Sequence, residues 1–152
     1  MLMEIQALTA PANVGFARRT AVGIDYQRLS MILAVLERKA GLTMINQDVY
    51  VNVVGGLKPD STSVDLATAL AVYSSLRGVR CPRRVIALGE VGLTGELRST
   101  GNADKIAAEA ARMGYEQIIV PSRTAQQLGA AVGKCRVTGA ADLTDAINLF
   151  RE

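Results

Sequence analysis

Hydrophobic and polar positions along this chain change period several times, and each change marks an element. Residues 3–9 (MEIQALT) alternate as a strand does, and residues 20–24 (TAVGI) read as its neighbour. Pro11, Asn13 and Gly15 mark the loop between them, from which Arg18 and Arg19 emerge. The period then becomes helical: Leu29, Ile32, Leu33 and Leu36 make one apolar stripe, with Asp25 placed to cap it and Gly41 to end it. Arg28, Glu37 and Arg38 fall on the opposite, polar face.

Alternation returns in residues 48–54 (DVYVNVV), where Val49, Val51 and Val53 share a face ahead of Gly55 and Gly56. Residues 63–76 are apolar almost all round, which predicts a central, buried helix. Pro82 interrupts an arginine-rich loop, after which residues 84–88 (RVIAL) enter a strand. In residues 89–98 (GEVGLTGELR) glycine recurs every third position, predicting a tight strand–turn–strand in which Arg98 pairs with Glu96 or Glu90. That stretch is neither a P-loop nor a dinucleotide fingerprint.

Asn102 is placed to cap a helix through Ala103, Ile106, Ala107, Ala110 and Met113, with Gly114 ending it. Residues 117–120 (QIIV) form a short strand that ends at Pro121, and residues 135–138 form another. Leu143, Ala146, Ile147 and Phe150 define a terminal helix. Without repeats, linkers or low-complexity tracts, the pattern predicts one mixed α/β (α+β) domain over residues 1–152.

Composition narrows the chemistry. A chain of 152 residues with 49% hydrophobic and 20% charged residues has enough apolar material for one core without disulfides or metals. No apolar run is long enough to cross a bilayer, and the opening residues lack the basic and apolar regions of a secretory signal. Cys81 and Cys135 make neither a metal-ligand pattern nor a disulfide framework, so a reducing, cytoplasmic setting is expected. The absence of histidine excludes Ser-His and Cys-His hydrolases and imidazole zinc sites. Scarce aromatics argue against a stacking platform for single strands.

The net charge is only +3, but arginine far outnumbers the lysines at 39, 58, 105 and 134. Arginine offers phosphate a planar, permanently charged fork. Candidate nucleic-acid contacts are Arg18, Arg19, Lys58, Arg77, Arg80, Arg83 and Arg84, which fall in expected loops or at element ends. For each, an exposed or internally paired side chain is the competing reading.

Six stretches together resemble the RadA/Sms family of bacterial DNA-repair proteins. They are residues 4–8 (EIQAL), 18–37 (RRTAVGIDYQRLSMILAVLE), 46–56 (NQDVYVNVVGG), 65–78 (DLATALAVYSSLRG), 89–98 (GEVGLTGELR) and 110–121 (AARMGYEQIIVP). The resemblance implies the Lon-protease-like C-terminal domain of such a protein, with a mixed sheet, packed helices and the topology of the second domain of ribosomal protein S5. It also implies a parent RecA-like ATPase in recombinational repair, with a zinc finger and an ATPase core that this chain lacks. ATP, magnesium and zinc belong to those parts, leaving no cofactor here. The leading Met1 is expected to mark an excised piece. By resemblance the domain contributes to a homo-oligomeric, hexameric ring, contacts double-stranded DNA during branch migration, and works alongside RecA-type recombinase filaments.

Lon peptidases use a serine activated by a lysine, with no histidine. The resemblance places Ser63 at the serine position, but Val64 and Asp65 follow it where that family has glycine and alanine. Counting back from Gly114 without a gap puts Ile106 at the lysine position. Lys105 lies next door, about 100° around the helix, and only a one-residue deletion before the helix would bring it into register. Thr62–Asp65 also fits a capping box, a local reason for a hydroxyl there. The expectation is a domain without a working Ser63–Lys105 dyad; a Ser-Lys peptidase and a pure oligomerisation scaffold are the alternatives.

Overall fold

The computed structural model describes residues 2–13, 17–55, 62–82 and 84–151, with Arg151 as backbone only. Its elements run β1 (Glu4–Pro11), β2 (Arg19–Val22), α1 (Tyr26–Ala40), β3 (Gln47–Val54), α2 (Asp65–Arg77), β4 (Val85–Ala87), β5 (Glu90–Val91), β6 (Leu97–Arg98), α3 (Ala103–Arg112), β7 (Gln117–Pro121), α4 (Ser122–Leu128), β8 (Ala131–Val132), β9 (Cys135–Ala140) and α5 (Leu143–Arg151). The mixed α/β class read from the hydrophobic pattern is what folds.

Two sheets carry the architecture. The first has the order β1-β3-β2, with β1 antiparallel and β2 parallel to β3. This corrects the expectation that the first two strands are neighbours. The chain leaves β2 through α1 and returns as β3, and such a crossover lays parallel strands side by side, which moves β1 to the far edge. The second sheet has the order β4-β7-β9-β8, with β4, β7 and β9 all parallel. β5 and β6 form a separate antiparallel hairpin.

The main core joins α1, α2 and α5 to the inner face of the first sheet, where Val49 and Val51 are almost wholly buried beside Leu29, Ile32, Leu36 and Leu66. A smaller cluster of Ile118, Val120, Ala107 and Cys135 sits between α3 and the second sheet. α1 behaves as its sequence predicts: Asp25 accepts from the Arg28 N–H, and Gly41 ends the helix at φ 71. Asn102 does precede α3, but at φ 64 and without a side-chain cap bond, because a left-handed backbone is not the extended geometry from which a cap reaches forward. α4 and β8 were not anticipated.

Candidate nucleic-acid interface

The motifs that carry the family resemblance meet at the start of α2. The Arg28 guanidinium on α1 donates to Asp65 Oδ2, and the same oxygen accepts from the Val91 N–H at 3.1 Å. Leu66 N–H donates to Gly89 O at 3.1 Å, and Gly89 N–H to Ser63 O at 3.2 Å. Three stretches of chain are thereby locked together. Asp65 is fully buried, and burial pushes its carboxyl above the ordinary range, opposed by the Arg28 and Val91 hydrogen bonds. The capping box therefore does not form: Asp65 faces Arg28 and Val91 instead of reaching back, Oδ1 has no hydrogen-bond partner among the described residues, and the helix starts at Asp65, two residues past Ser63. Arg28, expected on a solvated face, is mostly buried by this contact.

The glycine-rich stretch forms the predicted hairpin. Glu96 folds back over Gly92, where an added Cβ would lie 2.2 Å from the Glu96 carboxyl carbon. Its Oε1 accepts from Thr94 N–H and Oγ1, and its Oε2 from Arg98 at 2.7 Å. These bonds hold the Glu96 carboxyl down at about 2, Thr94 first and Arg98 second, while the pairing raises Arg98.

Ser63 lines a small pocket of about 90 Å³ together with Val64, Leu88 and Ile106. Ile106 packs inward against the smaller core, whereas Lys105 is exposed. Of the two residues weighed for the lysine position, Ile106 therefore shares a pocket lining with Ser63 and Lys105 is at the surface. Among the described residues no group of three or more acidic or cysteine side chains could hold a metal ion, and no helix is long and apolar enough to cross a membrane.

The candidate cations have different fates. Arg19 is turned inward, donating to Gln47 O and, at 2.9 Å, to Met44 O. Arg18 is exposed, with its N–H on Asp48 Oδ1 at 2.7 Å. Arg77, Arg80 and Arg84 are exposed around the loop that leads from α2 to β4. Lys58 and Arg83 lie outside the described residues.

Arg84 is the anchor of a larger group. At φ 56 it donates through Nη1 to Gly114 O at 3.1 Å, and its carbonyl accepts from Glu116 and Gln117 N–H. Arg136 N–H in turn donates to Glu116 O at 2.8 Å. Gly133, beside Lys134, approaches Ala111, beside Arg112, so closely that its Cβ would sit 3.4 Å from that of Ala111. The parallel strands β4, β7 and β9 all begin here, which brings Arg84, Lys134 and Arg136 to one end of the second sheet, with Arg112 at the C-terminal end of α3 two residues before Gly114, all exposed. The acids nearby are Glu116 and, on α3, Glu109. Sequence reasoning missed Arg112, Lys134 and Arg136, because their spacing along the chain says nothing about strand starts and a helix end meeting.

A model of the family described as Subunit ChlI of Mg-chelatase matches residues 8–124, most of the chain, and the chain belongs to that family. Its curated relatives include bacterial proteins named DNA repair protein RadA. The one from Escherichia coli is 43% identical over 150 residues, covering 99% of this chain and 32% of that protein. The Haemophilus influenzae protein is 44% identical over 147 residues, covering 97% of this chain and 32% of the relative. The Halalkalibacterium halodurans protein is 41% identical over 123 residues, covering 81% and 27%. The resemblance to RadA/Sms is borne out, and the chain spans about a third of the length of these relatives.

Proposed function

We propose that this chain is a non-catalytic, Lon-protease-like domain of a cytoplasmic DNA-repair ATPase, contributing to a hexameric ring and contacting duplex DNA during branch migration. The observation that carries the reading is the gathering of Arg84, Lys134 and Arg136 at the open end of the second sheet, with Arg112 at the adjoining end of α3 and Arg80 close in the chain. Exposed arginines on rigid strand starts suit phosphate contacts, which give affinity without base choice and weaken steeply with salt. The relatives named as DNA repair proteins support the same reading. ATP, magnesium and zinc would belong to parts of the parent protein outside this chain, as would most contacts to recombinase filaments. The absence of a peptidase is supported by Ile106 at the pocket that Ser63 lines.

Fluorescence anisotropy with duplex DNA tests the proposal, comparing this chain with an Arg84→Ala, Arg112→Ala, Arg136→Ala variant. Binding at low salt that falls on adding salt, and that the variant loses while staying folded, is the expected result. A folded domain with no affinity at low salt would move the reading to a ring-assembly scaffold.

A further inference from the structure

Two described residues other than glycine hold a left-handed backbone, Arg84 at φ 56 and Asn102 at φ 64. An L side chain is strained there and glycine is not. At Arg84 the strained backbone carries two sets of bonds. Its carbonyl accepts from the Glu116 N–H at 2.8 Å and the Gln117 N–H at 3.3 Å, which ties the start of β4 to the start of β7. Any residue supplies that carbonyl, so the arginine itself answers to the second set. Its side chain reaches Gly114 O through Nη1 at 3.1 Å.

Gly114 belongs to the turn that closes α3. The Met113 N–H donates to Glu109 O at 3.0 Å, the Gly114 N–H to Ala111 O at 3.2 Å and the Tyr115 N–H to Ala110 O at 3.0 Å, so this turn folds back on the end of the helix. Carbonyls at a helix C-terminus carry partial negative charge, and a cation that bonds them is favourable. Gly114 leaves the guanidinium room: at φ 87 it has no side chain, and a Cβ would lie 2.9 Å from Arg84 Nη1. Arg112 is the last residue of α3 and is exposed. Where α3 ends therefore decides where Arg112 stands, and Arg84 fastens that end to the start of β4.

We infer that Arg84 is a positioning residue of the cationic group: it fixes the end of α3, and through it the place of Arg112, which makes the phosphate contact. The inference rests on the DNA reading above and deepens it, dividing one patch of arginines into a holder and what it holds. The physical reason is entropy. A guanidinium meets phosphate as a directional fork, and an arginine on a frayed helix end must first be ordered to do so. With Arg84 in place, that ordering is done on folding.

A double-mutant cycle separates a holder from a contact. Duplex-DNA affinity at low salt is measured by fluorescence anisotropy for the native chain, Arg84→Gly, Arg112→Ala and the two combined. Glycine suits the backbone at position 84 and keeps its carbonyl bonds, so Arg84→Gly should lose the guanidinium and stay folded. Each single variant should bind roughly threefold more weakly, and the combined variant no more weakly than Arg112→Ala, whereas independent contacts would multiply to roughly tenfold. Gly114→Ala, which crowds Arg84 Nη1 and changes no charge, should weaken binding as Arg84→Gly does. Amide hydrogen exchange gives a readout without DNA. The Met113, Gly114 and Tyr115 N–H groups should exchange about tenfold faster in Arg84→Gly, the worth of one charge-assisted bond, with Leu33 in α1 unchanged. Losses that multiply, full affinity in Arg84→Gly, or unchanged exchange at those three amides would each overturn the inference. A native chain with no affinity at low salt would sink the DNA reading instead, and the exchange comparison would then decide alone whether Arg84 holds the turn.

Discussion

Arg19 and Arg28 on one side, and Arg80, Arg112 and Arg136 on the other, are the same residue type in two kinds of surroundings. The first pair turns inward: Arg28 to a buried carboxylate, Arg19 to two carbonyls that end the loop before β3. The second group stands exposed at or near the start of the second sheet. An inward guanidinium stabilises the fold and is out of reach of a partner; an outward one adds little to stability and is available for phosphate. A count of arginines merges the two roles, and burial separates them.

The widest separation should appear at Arg28. Removing it leaves Asp65 buried without its cation, and breaking a buried pair in this way costs about 3–5 kcal/mol. Arg28→Met should lower the urea midpoint accordingly, with duplex-DNA affinity unchanged in the folded protein. The pH dependence has a definite sign. Burial raises the Asp65 carboxyl in the folded state and Arg28 opposes that rise, so the variant's carboxyl rises further. A carboxyl raised on folding favours the folded state at low pH, and that contribution is lost as pH climbs through its folded value. The gap between variant and native protein should therefore widen from acid toward neutral pH. A gap constant from pH 4 to 7 would break the account of Asp65.

Arg19→Ala sharpens the comparison at smaller scale. It leaves Gln47 O and Met44 O without their charged donor, a loss of roughly 1.5–3 kcal/mol. Thermal unfolding should register it while DNA affinity does not. The outward group should behave in the reverse way. Arg112→Ala with Arg136→Ala should leave stability within about 0.5 kcal/mol, as surface changes usually do. Affinity for duplex DNA should fall roughly tenfold, with a shallower salt dependence, because phosphate contacts are lost. Unfolding of this double variant, or unchanged affinity, would put these arginines in the structural class.

Much of the fold was legible because burial and period coincide. Val49, Val51 and Val53 alternate and are buried; α1 carries its stripe between Asp25 and Gly41; α2 is apolar all round and central. Legibility failed where a residue's partner is distant in sequence. Asp65 reads as a local helix-start carboxylate, and only its contact with Arg28, on another helix, makes it a core group. α4 has seven residues with only Thr124 buried, too little for a stripe. The candidate cationic group was half visible: the run of arginines before β4 could be seen, but Lys134 and Arg136 join it through parallel strand starts, and Arg112 through the end of α3, that no local pattern records.

Glu96, in the hairpin that meets the start of α2, offers the smallest effect and a contrast with Asp65. Both carboxylates are held by an arginine, yet Asp65 is raised by burial while Glu96, partly exposed at the surface, is lowered to about 2 by the Thr94 and Arg98 bonds. For a carboxyl lowered on folding, the stabilising contribution is present above its unfolded value and is lost as pH falls through the folded one. The difference in stability between native protein and Glu96→Gln should thus be small at neutral pH and vanish on approach to pH 2. Gly92→Ala provides the structural control. Its methyl group would occupy the place of the Glu96 carboxyl, which can swing away into solvent because it is the free end of a flexible side chain. Once displaced, the carboxyl loses Thr94 and Arg98 and should titrate in the ordinary range. Following the Glu96 side-chain resonance by NMR through an acid titration reads both states directly. An ordinary midpoint in the native protein would mean that the hairpin does not hold Glu96 as drawn, and that the glycine at position 92 serves the backbone alone.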